Sequence, residues 1–282
     1  MISLVQLLQQ RGLDFSKKIK VVRHQDKRCD INEYYRLGHM ETYQRYQSKK
    51  VFNCDYIVTF MGLQGSLSLL IGVYRVGECL LSKGQALPSD YPDQDVKERD
   101  EFYYELDEVS GFEDYKGRVV IEWGNAAISW HQWLDAERDK EVLEILPPGY
   151  VRNFPGYLDF ILDHSELAAI CANPQANRVW HRMLSAVAGV YLIVDAESGL
   201  QYVGSAYGEN GILGRWMNYA KKGHGGNKKL KEALKTGEMH IKNLRFTVLR
   251  TLPKSLTAPE VIAYEVLYKN KLGSRAFGLN TN

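Results

Sequence analysis

The 282-residue sequence lacks any apolar run near the roughly 20 residues that a membrane helix needs. Its first residues also lack the basic, then apolar, then small-residue order of a signal peptide. These two absences predict a cytoplasmic protein with no membrane partner. Because 45% of the residues are hydrophobic, the chain can form buried cores, and its length favours two domains over one.

Cysteine is scarce, and the cysteines are not arranged in pairs. None of them forms a CxxC motif, which is the usual spacing of a structural zinc site, and their small number argues against a disulfide framework. The sequence therefore predicts reduced thiols at all four positions, which are Cys29, Cys54, Cys79 and Cys171.

The net charge of +2 conceals an uneven distribution. Residues 187–282 hold 14 Lys and Arg against 7 Asp and Glu, and the rest of the chain holds 22 against 27. A basic block favours a polyphosphate partner, because each neutralised phosphate releases counterions. A merely solvated, lysine-rich helix surface has a similar composition, so the charge alone does not identify the partner.

Hydrophobic patterning divides the chain into four segments. Residues 1–52 look helical and polar. Residues 53–134 carry the β-like runs YIVTFMG, SLSLLIGVYRVG, EFYYELDEV and GRVVIEWG, which predict a small, mostly antiparallel barrel. Residues 135–185, including KEVLEIL and NRVWHRMLSAV, have helical spacing and are predicted to lead into a last domain at 186–282. The expected fold class is α+β.

The last segment carries two short tyrosine motifs. GVY at 189–191 and YVG at 202–204 lie in predicted strands that a short turn separates. Because strand side chains alternate between faces, Tyr191 and Tyr202 can lie side by side on one face of a hairpin, although paired phenols usually serve packing alone. Downstream follow Arg215 at the start of a helix, His224, the lysine-rich KKLKEAL, the helix YEVLY and a late GLN.

In this order the motifs resemble the GIY-YIG nuclease superfamily, over residues 186–282. The matching residues are Tyr191, Tyr202, Arg215, Glu265 and Asn280. The resemblance implies a small three-stranded antiparallel sheet flanked by helices, and hydrolysis of phosphodiester bonds in DNA with Mg²⁺ or Mn²⁺ as cofactor. The sequence departs from the excision-repair members at Ser205, because those members place a lysine near this position.

The resemblance also implies a role for each matching residue. Glu265 would hold the divalent ion, and Arg215 would grip the scissile phosphate with two parallel hydrogen bonds. Tyr191, assisted by Tyr202, would take a proton from water, with its pKa lowered by the metal and the arginine. Tyr219, four residues after Arg215, would face the same side of the helix and contact the phosphate or the water.

Several of these residues also have ordinary structural explanations. Glu265 can pair with Lys269 four residues later, and His224 can be a solvated loop histidine as readily as a DNA contact. We expect Asn280 to brace the site and not to react. The lysines beside the site are expected to contact the DNA backbone, although a solvated surface explains them too. They are Lys221, Lys222, Lys228, Lys229 and Lys231.

The β-rich segment 53–134 contains three tryptophans that could form a stacking pocket for an extruded base, with core packing as the alternative. They are Trp123, Trp130 and Trp133. The barrel loosely resembles PUA-like modules. Beside a nuclease it is most simply a recognition domain for a sequence or a modified base in double-stranded DNA. A restriction-type enzyme that forms a homodimer is then expected.

Two alternatives remain open. One is a DNA-repair or mobile-element nuclease that a protein partner recruits, and the other is a non-catalytic DNA-binding protein. The presence of Tyr191, Arg215 and Glu265 together argues against the second alternative.

Overall fold

The computed structural model describes residues 2–26, 28–124, 129–276 and 278–280. Its chain divides into two compact units, Met1–Leu146 and Pro147–Asn282, and each unit has its own hydrophobic core. Both contain helices and strands, so the expected mixed α+β class is confirmed. All four cysteines are free thiols of intermediate exposure. No helix in the described part of the chain has the length and apolar character of a membrane span.

The first unit is built on one eight-stranded sheet. Its order is β2-β5-β4-β3-β1-β7, and β6 pairs with both β4 and β8. The strands are β1 (Ile19–His24), β2 (Tyr46–Gln47), β3 (Tyr56–Gly62), β4 (Leu67–Leu81), β5 (Phe102–Glu108), β6 (Val119–Glu122), β7 (His131–Trp133) and β8 (Val142–Ile145). The helices are α1 (Leu4–Gln10), α2 (Ile31–Arg36) and α3 (Met40–Arg45), with 3-10 turns at Gln94–Glu98 and Glu113–Tyr115.

The sequence predicted β3, β4, β5 and β6 as strands, and all four are present. Two predictions of helix are wrong. β1 lies in the segment predicted to be helical, yet all six of its residues are buried between β3 and β7. β8 replaces the helix predicted for KEVLEIL, because it pairs with β6. In both places pairing within a sheet outweighs local helix propensity. The described pairings are antiparallel except that of β1 with β3.

At the end of β1, the His24 imidazole is buried among aromatic rings. The Tyr43 ring meets it edge-on with ring centroids 5.2 Å apart, and the Trp130 ring lies 6.3 Å away. Burial lowers the pKa of His24 to about 4, although the neighbouring Gln44 side chain and the charge of Asp26 act in the opposite direction. The imidazole is therefore neutral at pH 7.

This burial makes the stability of the protein depend on pH. The unfolded chain protonates His24 near the ordinary pKa of 6.5 and the folded chain only near 4, so acid favours the unfolded chain. Between about pH 7.5 and about pH 5, His24 should remove about 2 kcal/mol from the free energy of unfolding. Urea unfolding of the wild type and of His24→Gln at both pH values measures this difference.

His240→Gln is the matched control, because His240 is exposed. It should lose as much stability in acid as the wild type. An equal loss of stability in His24→Gln would show that His24 does not carry the effect.

The second unit contains a four-stranded antiparallel sheet of order β11-β10-β12-β9. The strands are β9 (Leu162–Asp163), β10 (Ala188–Asp195), β11 (Gln201–Ala206) and β12 (Leu244–Leu252). The helices are α4 (His164–Ala172), α5 (Arg178–Ala186), α6 (Gly211–Lys222), α7 (Lys228–Thr236) and α8 (Ala258–Leu272), with a 3-10 turn at Ile241–Asn243. The short β9 adds a fourth strand to the three that were expected.

Helices cover both faces of this sheet. Tyr191, Ile193 and Tyr202 point to one face, where the core is completed by α4, α5, α6 and α7. Val190 and Val203 point to the opposite face and pack against α8. Helices α4 and α5 come from the segment predicted to link the domains, and both contribute buried side chains to this core.

Candidate active site

Two glycines explain the local shape of the tyrosine motifs. Tyr191 pairs with Gly204 and Tyr202 pairs with Ile193, so the two phenols lie diagonally on one face of the hairpin. A Cβ atom at Gly204 would lie 2.5 Å from the Tyr191 hydroxyl, so the missing side chain makes room for the Tyr191 ring. A Cβ atom at Gly189 would lie 2.5 Å from a backbone oxygen of β12, so this glycine permits the close pairing of β10 with β12.

The Tyr191 hydroxyl is the centre of a small hydrogen-bonded group. It lies 3.1 Å from the Tyr219 hydroxyl and accepts a hydrogen bond of 3.3 Å from Nε of Arg215. The Arg215 guanidinium lies 5.4 Å from the centre of the Tyr219 ring. Arg215 and Tyr219 are one helical turn apart on α6, and they face β10 together as their spacing predicted.

Burial sets the ionisation of these phenols. Tyr191 is fully buried, and desolvation raises its pKa, with a further contribution from Tyr202. Arg215 and the hydrogen bond with Tyr219 act in the opposite direction but are weaker. Burial also raises the pKa of Tyr219. The protein's own side chains therefore do not produce the lowered Tyr191 pKa that was expected, because desolvation outweighs the arginine.

An open cavity of about 670 Å³ lies beside β11 and is lined by residues of β11, α6 and α8. Tyr202 lines this cavity, whereas the buried Tyr191 does not. The charged side chains among the described residues that line it are one carboxylate and three cations, namely Glu265, Arg215, Lys269 and Arg275. An excess of positive charge in a concave surface attracts anions.

Both carboxylate oxygens of Glu265 have hydrogen-bonding partners. The Ser205 hydroxyl donates to Oε2, and the Lys269 ammonium lies 2.6 Å from Oε1. The ordinary explanation of Glu265, an ion pair with Lys269, is therefore present in the structure. Ser205 extends from β11 and Glu265 from α8, so the contact joins the sheet to the helix.

Glu265 is the only carboxylate among the described residues that line the cavity. The described residues include no group of three or more His, Cys, Asp or Glu side chains that could hold a metal. Magnesium does not require such a group, because it keeps several waters and binds through one or two carboxylates together with substrate phosphates. Each carboxylate oxygen of Glu265 has a second lone pair, so the residue fits a magnesium ion that also contacts a phosphate.

Asn280 lies on the free edge of β11. Its side-chain amide donates to the Val203 carbonyl at 2.7 Å, and its side-chain carbonyl accepts from the Val203 backbone N–H at 3.0 Å. The neighbouring Leu279 backbone N–H donates to the Gln201 carbonyl at 2.9 Å. This geometry braces the strand that carries Tyr202 and Ser205.

The basic residues after α6 have two kinds of environment. Nζ of Lys229 donates to the Asn280 carbonyl at 3.3 Å and so braces the same segment. The other lysines are exposed, namely Lys221, Lys222, Lys228 and Lys231. Nδ1 of His224 accepts a hydrogen bond of 3.0 Å from the Gly226 backbone N–H, and burial and two nearby lysines lower its pKa. His224 thus fits a loop-bracing residue.

The three tryptophans of the first unit lie in different environments. Trp123 is fully buried in the main core, and Trp130 packs against a second cluster with Phe52. Trp133 lies under the Lys20 ammonium, 4.6 Å from the ring centre, and lines a cavity of about 330 Å³. The structure therefore does not bring them together into one stacking pocket.

Sequence reasoning did not assign a functional role to Ser205, Lys269 or Arg275. The spacing of Glu265 and Lys269 predicted their ion pair, but not the burial of the pair or its place in the cavity. Ser205 stood out only as a departure from the excision-repair pattern. No sequence signal pointed to Arg275, which lies between α8 and the segment that braces β11.

No protein-family model and no curated protein matches this chain. Among solved structures, the catalytic domain of the intron endonuclease I-TevI, in a mutant form, is similar at 22% sequence identity with a TM-score of 0.28. The similarity covers 34% of this chain and 94% of that chain.

The fit of Tyr191 over Gly204 can be tested by a double-mutant cycle. Gly204→Ala should lower the free energy of unfolding by about 1–3 kcal/mol, because the new methyl group overpacks the Tyr191 ring. In a Tyr191→Ala background the same substitution should cost much less, because the ring is gone. Urea unfolding of the four proteins gives the coupling. Equal costs in both backgrounds would contradict the proposed contact.

Proposed function

We propose that the second unit hydrolyses phosphodiester bonds in DNA with the help of a divalent ion. The supporting observation is the convergence of Tyr202, Arg215 and Glu265 on one positively charged cavity. These side chains extend from a strand and from two helices on opposite faces of the sheet. Together they offer a phosphate-binding cation, a carboxylate for a metal and a phenol for proton transfer. This combination suits phosphoryl chemistry.

Hydrolysis adds water across one P–O bond, so the attacking water loses a proton and the departing oxygen gains one. Arg215 binds the non-bridging oxygens and keeps its charge throughout, since guanidinium groups do not deprotonate in proteins. Glu265 would hold Mg²⁺, which when bound offsets the charge that grows on the phosphate and on the departing oxygen. The Ser205 hydroxyl donates to the Glu265 carboxylate and orients it for this task.

Two tyrosines are candidates for the proton acceptor, which must first lose its own hydroxyl proton, because only a phenolate can take a proton from water. The resemblance favours Tyr191, and its hydroxyl contacts both Arg215 and Tyr219. Tyr202 lines the cavity and is therefore closer to any water that enters. Removing each hydroxyl separately, in Tyr191→Phe and Tyr202→Phe, distinguishes them, because loss of the acceptor should reduce the cleavage rate more.

For the first unit we propose recognition of the DNA target, as in a restriction-type enzyme. Its cavity of about 330 Å³ combines the aromatic rings of Phe15 and Trp133 with Lys17 and Lys18. Rings and cations together suit a base and its phosphate. The alternative remains a repair or mobile-element nuclease that a protein partner directs. If each protein chain has one metal site, cutting both strands of the duplex would require a homodimer on DNA.

The cleavage reaction is tested with unmodified plasmid DNA and with modified phage DNA, in magnesium or in EDTA. We expect discrete, magnesium-dependent fragments from at least one of these DNAs. Glu265→Gln and Arg215→Lys should each slow cleavage by about 100-fold or more, because each removes stabilisation of the transition state. The DNA that is cut indicates what the first unit recognises.

Matched controls for these variants are Glu232→Gln and Arg178→Lys, because both side chains are exposed on helices away from the cavity. Both should cleave at the wild-type rate. If Glu265→Gln cleaved as fast as the wild type, the assignment of the catalytic carboxylate would be wrong. Binding of DNA without cleavage under any condition would favour the non-catalytic alternative.

The exposed lysines should contribute to DNA affinity through counterion release. Each phosphate contact steepens the dependence of log K on log salt by about 0.9, so Lys222→Ala should make that slope shallower by roughly this amount. Arg182→Ala, an exposed change on α5, should leave the slope unchanged. Fluorescence anisotropy with a mixed-sequence duplex at several salt concentrations measures both. Identical slopes for Lys222→Ala and the wild type would show that Lys222 does not contact a DNA phosphate.

A further inference from the structure

Lys269 belongs to the cavity but is buried more deeply than a phosphate-binding lysine needs to be. Its side chain is only 8% exposed, and that of its partner Glu265 is 15% exposed. Among the ion pairs between described side chains, this one is the most buried. A buried ammonium is costly unless a counter-charge lies beside it, so each member of the pair depends on the other.

Metal binding would depend on the Glu265 carboxylate, and both of its oxygens already have partners. Lys269 lies at Oε1 of Glu265, and Ser205 donates to Oε2. The negative charge of Glu265 is thus already neutralised by a residue of the same helix. A cation that approaches Oε1 must compete with an ammonium 2.6 Å away.

The net charge of the cavity also disfavours cation binding in the absence of DNA. Arg215, Lys269 and Arg275 line it against the single carboxylate of Glu265. Adding a doubly charged ion to this surface is electrostatically unfavourable. A phosphodiester brings negative charge to the same place and gives the Lys269 ammonium a second anionic partner within the cavity.

We propose that Lys269 couples cation binding at Glu265 to DNA binding, an inference that rests on the proposed function. Without DNA, Lys269 neutralises Glu265 and competes with the cation. When a phosphodiester enters the cavity, the ammonium turns toward a phosphate oxygen and Glu265 becomes available as a ligand. Lys269 is thus a positioning residue that acts through Glu265. Because such coupling is reciprocal, the cation in turn strengthens DNA binding.

The test uses Mn²⁺ as the probe, with full-length protein and the electron paramagnetic resonance signal of free Mn²⁺ as the readout. Lys269→Met keeps the buried stem of the side chain and removes its charge. Without DNA, this variant should bind Mn²⁺ at least about tenfold more tightly than the wild type, because Glu265 is left without its counter-charge. A merely structural role of Lys269 would not increase the affinity for a metal.

The second measurement adds a short mixed-sequence DNA duplex. The duplex itself also binds Mn²⁺. This contribution is measured with the Glu265→Gln protein and the same duplex, and it is subtracted. The duplex should tighten the binding of Mn²⁺ to the wild type more than to Lys269→Met, because the variant has no competing ammonium to displace.

Two further variants separate the local effect from general charge. Lys271→Met removes an exposed lysine two residues away on α8 and should bind Mn²⁺ as the wild type does. Lys269→Arg keeps the positive charge and should also remain close to the wild type. Thermal unfolding verifies that each protein is folded, and Lys269→Gln serves as the second uncharged variant if Lys269→Met does not fold.

The outcomes are distinguishable. Tighter Mn²⁺ binding by Lys269→Met, lost when Glu265→Gln is added, supports the coupling. Unchanged or weaker binding by Lys269→Met overturns it, even where Glu265 holds Mn²⁺ in the DNA complex. If Glu265→Gln does not alter Mn²⁺ binding in any protein or complex, the metal-binding role of Glu265 in the proposed function is itself wrong.

Discussion

The shape of the candidate site depends on the contact between the Tyr191 ring and Gly204. The ring lies across β11 at a position where the strand has no side chain, and any larger residue there would collide with it. This contact fixes the Tyr191 hydroxyl where α6 can reach it. The positions of Arg215 and Tyr219 follow, because both contact that hydroxyl. The absence of a side chain at Gly204 thus allows Tyr191 of β10 to contact α6.

The edge position of β11 explains how groups from opposite faces of the sheet meet. Tyr202 and Ser205 are three residues apart, so they point to opposite faces, yet both line the same cavity. In the middle of a sheet, neighbouring strands would separate the two faces. At the free edge, α6 and α8 can both reach around the strand, and Glu265 therefore shares a cavity with Arg215.

Local patterns predicted the hairpin well, because alternation and a short turn determine the pairing of adjacent strands. The orientation of Arg215 and Tyr219 also followed from spacing on one helix. The raised pKa of Tyr191 could not be predicted from spacing, because the rings that bury Tyr191 belong to another element, α6. These rings are Trp216 and Tyr219. β1 was missed for a related reason: its strand partner β3 begins more than thirty residues later, and the pairing is invisible in the local pattern.

Asn280 has a consequence for how copies of this protein can associate. An edge strand with unpaired N–H and C=O groups is a template on which another chain can add a strand. The Asn280 side chain occupies both backbone groups of Val203, and Leu279 occupies the carbonyl of Gln201. Strand addition is therefore blocked along this stretch of β11. A second copy of the chain therefore cannot extend this sheet at β11 unless it displaces Asn280.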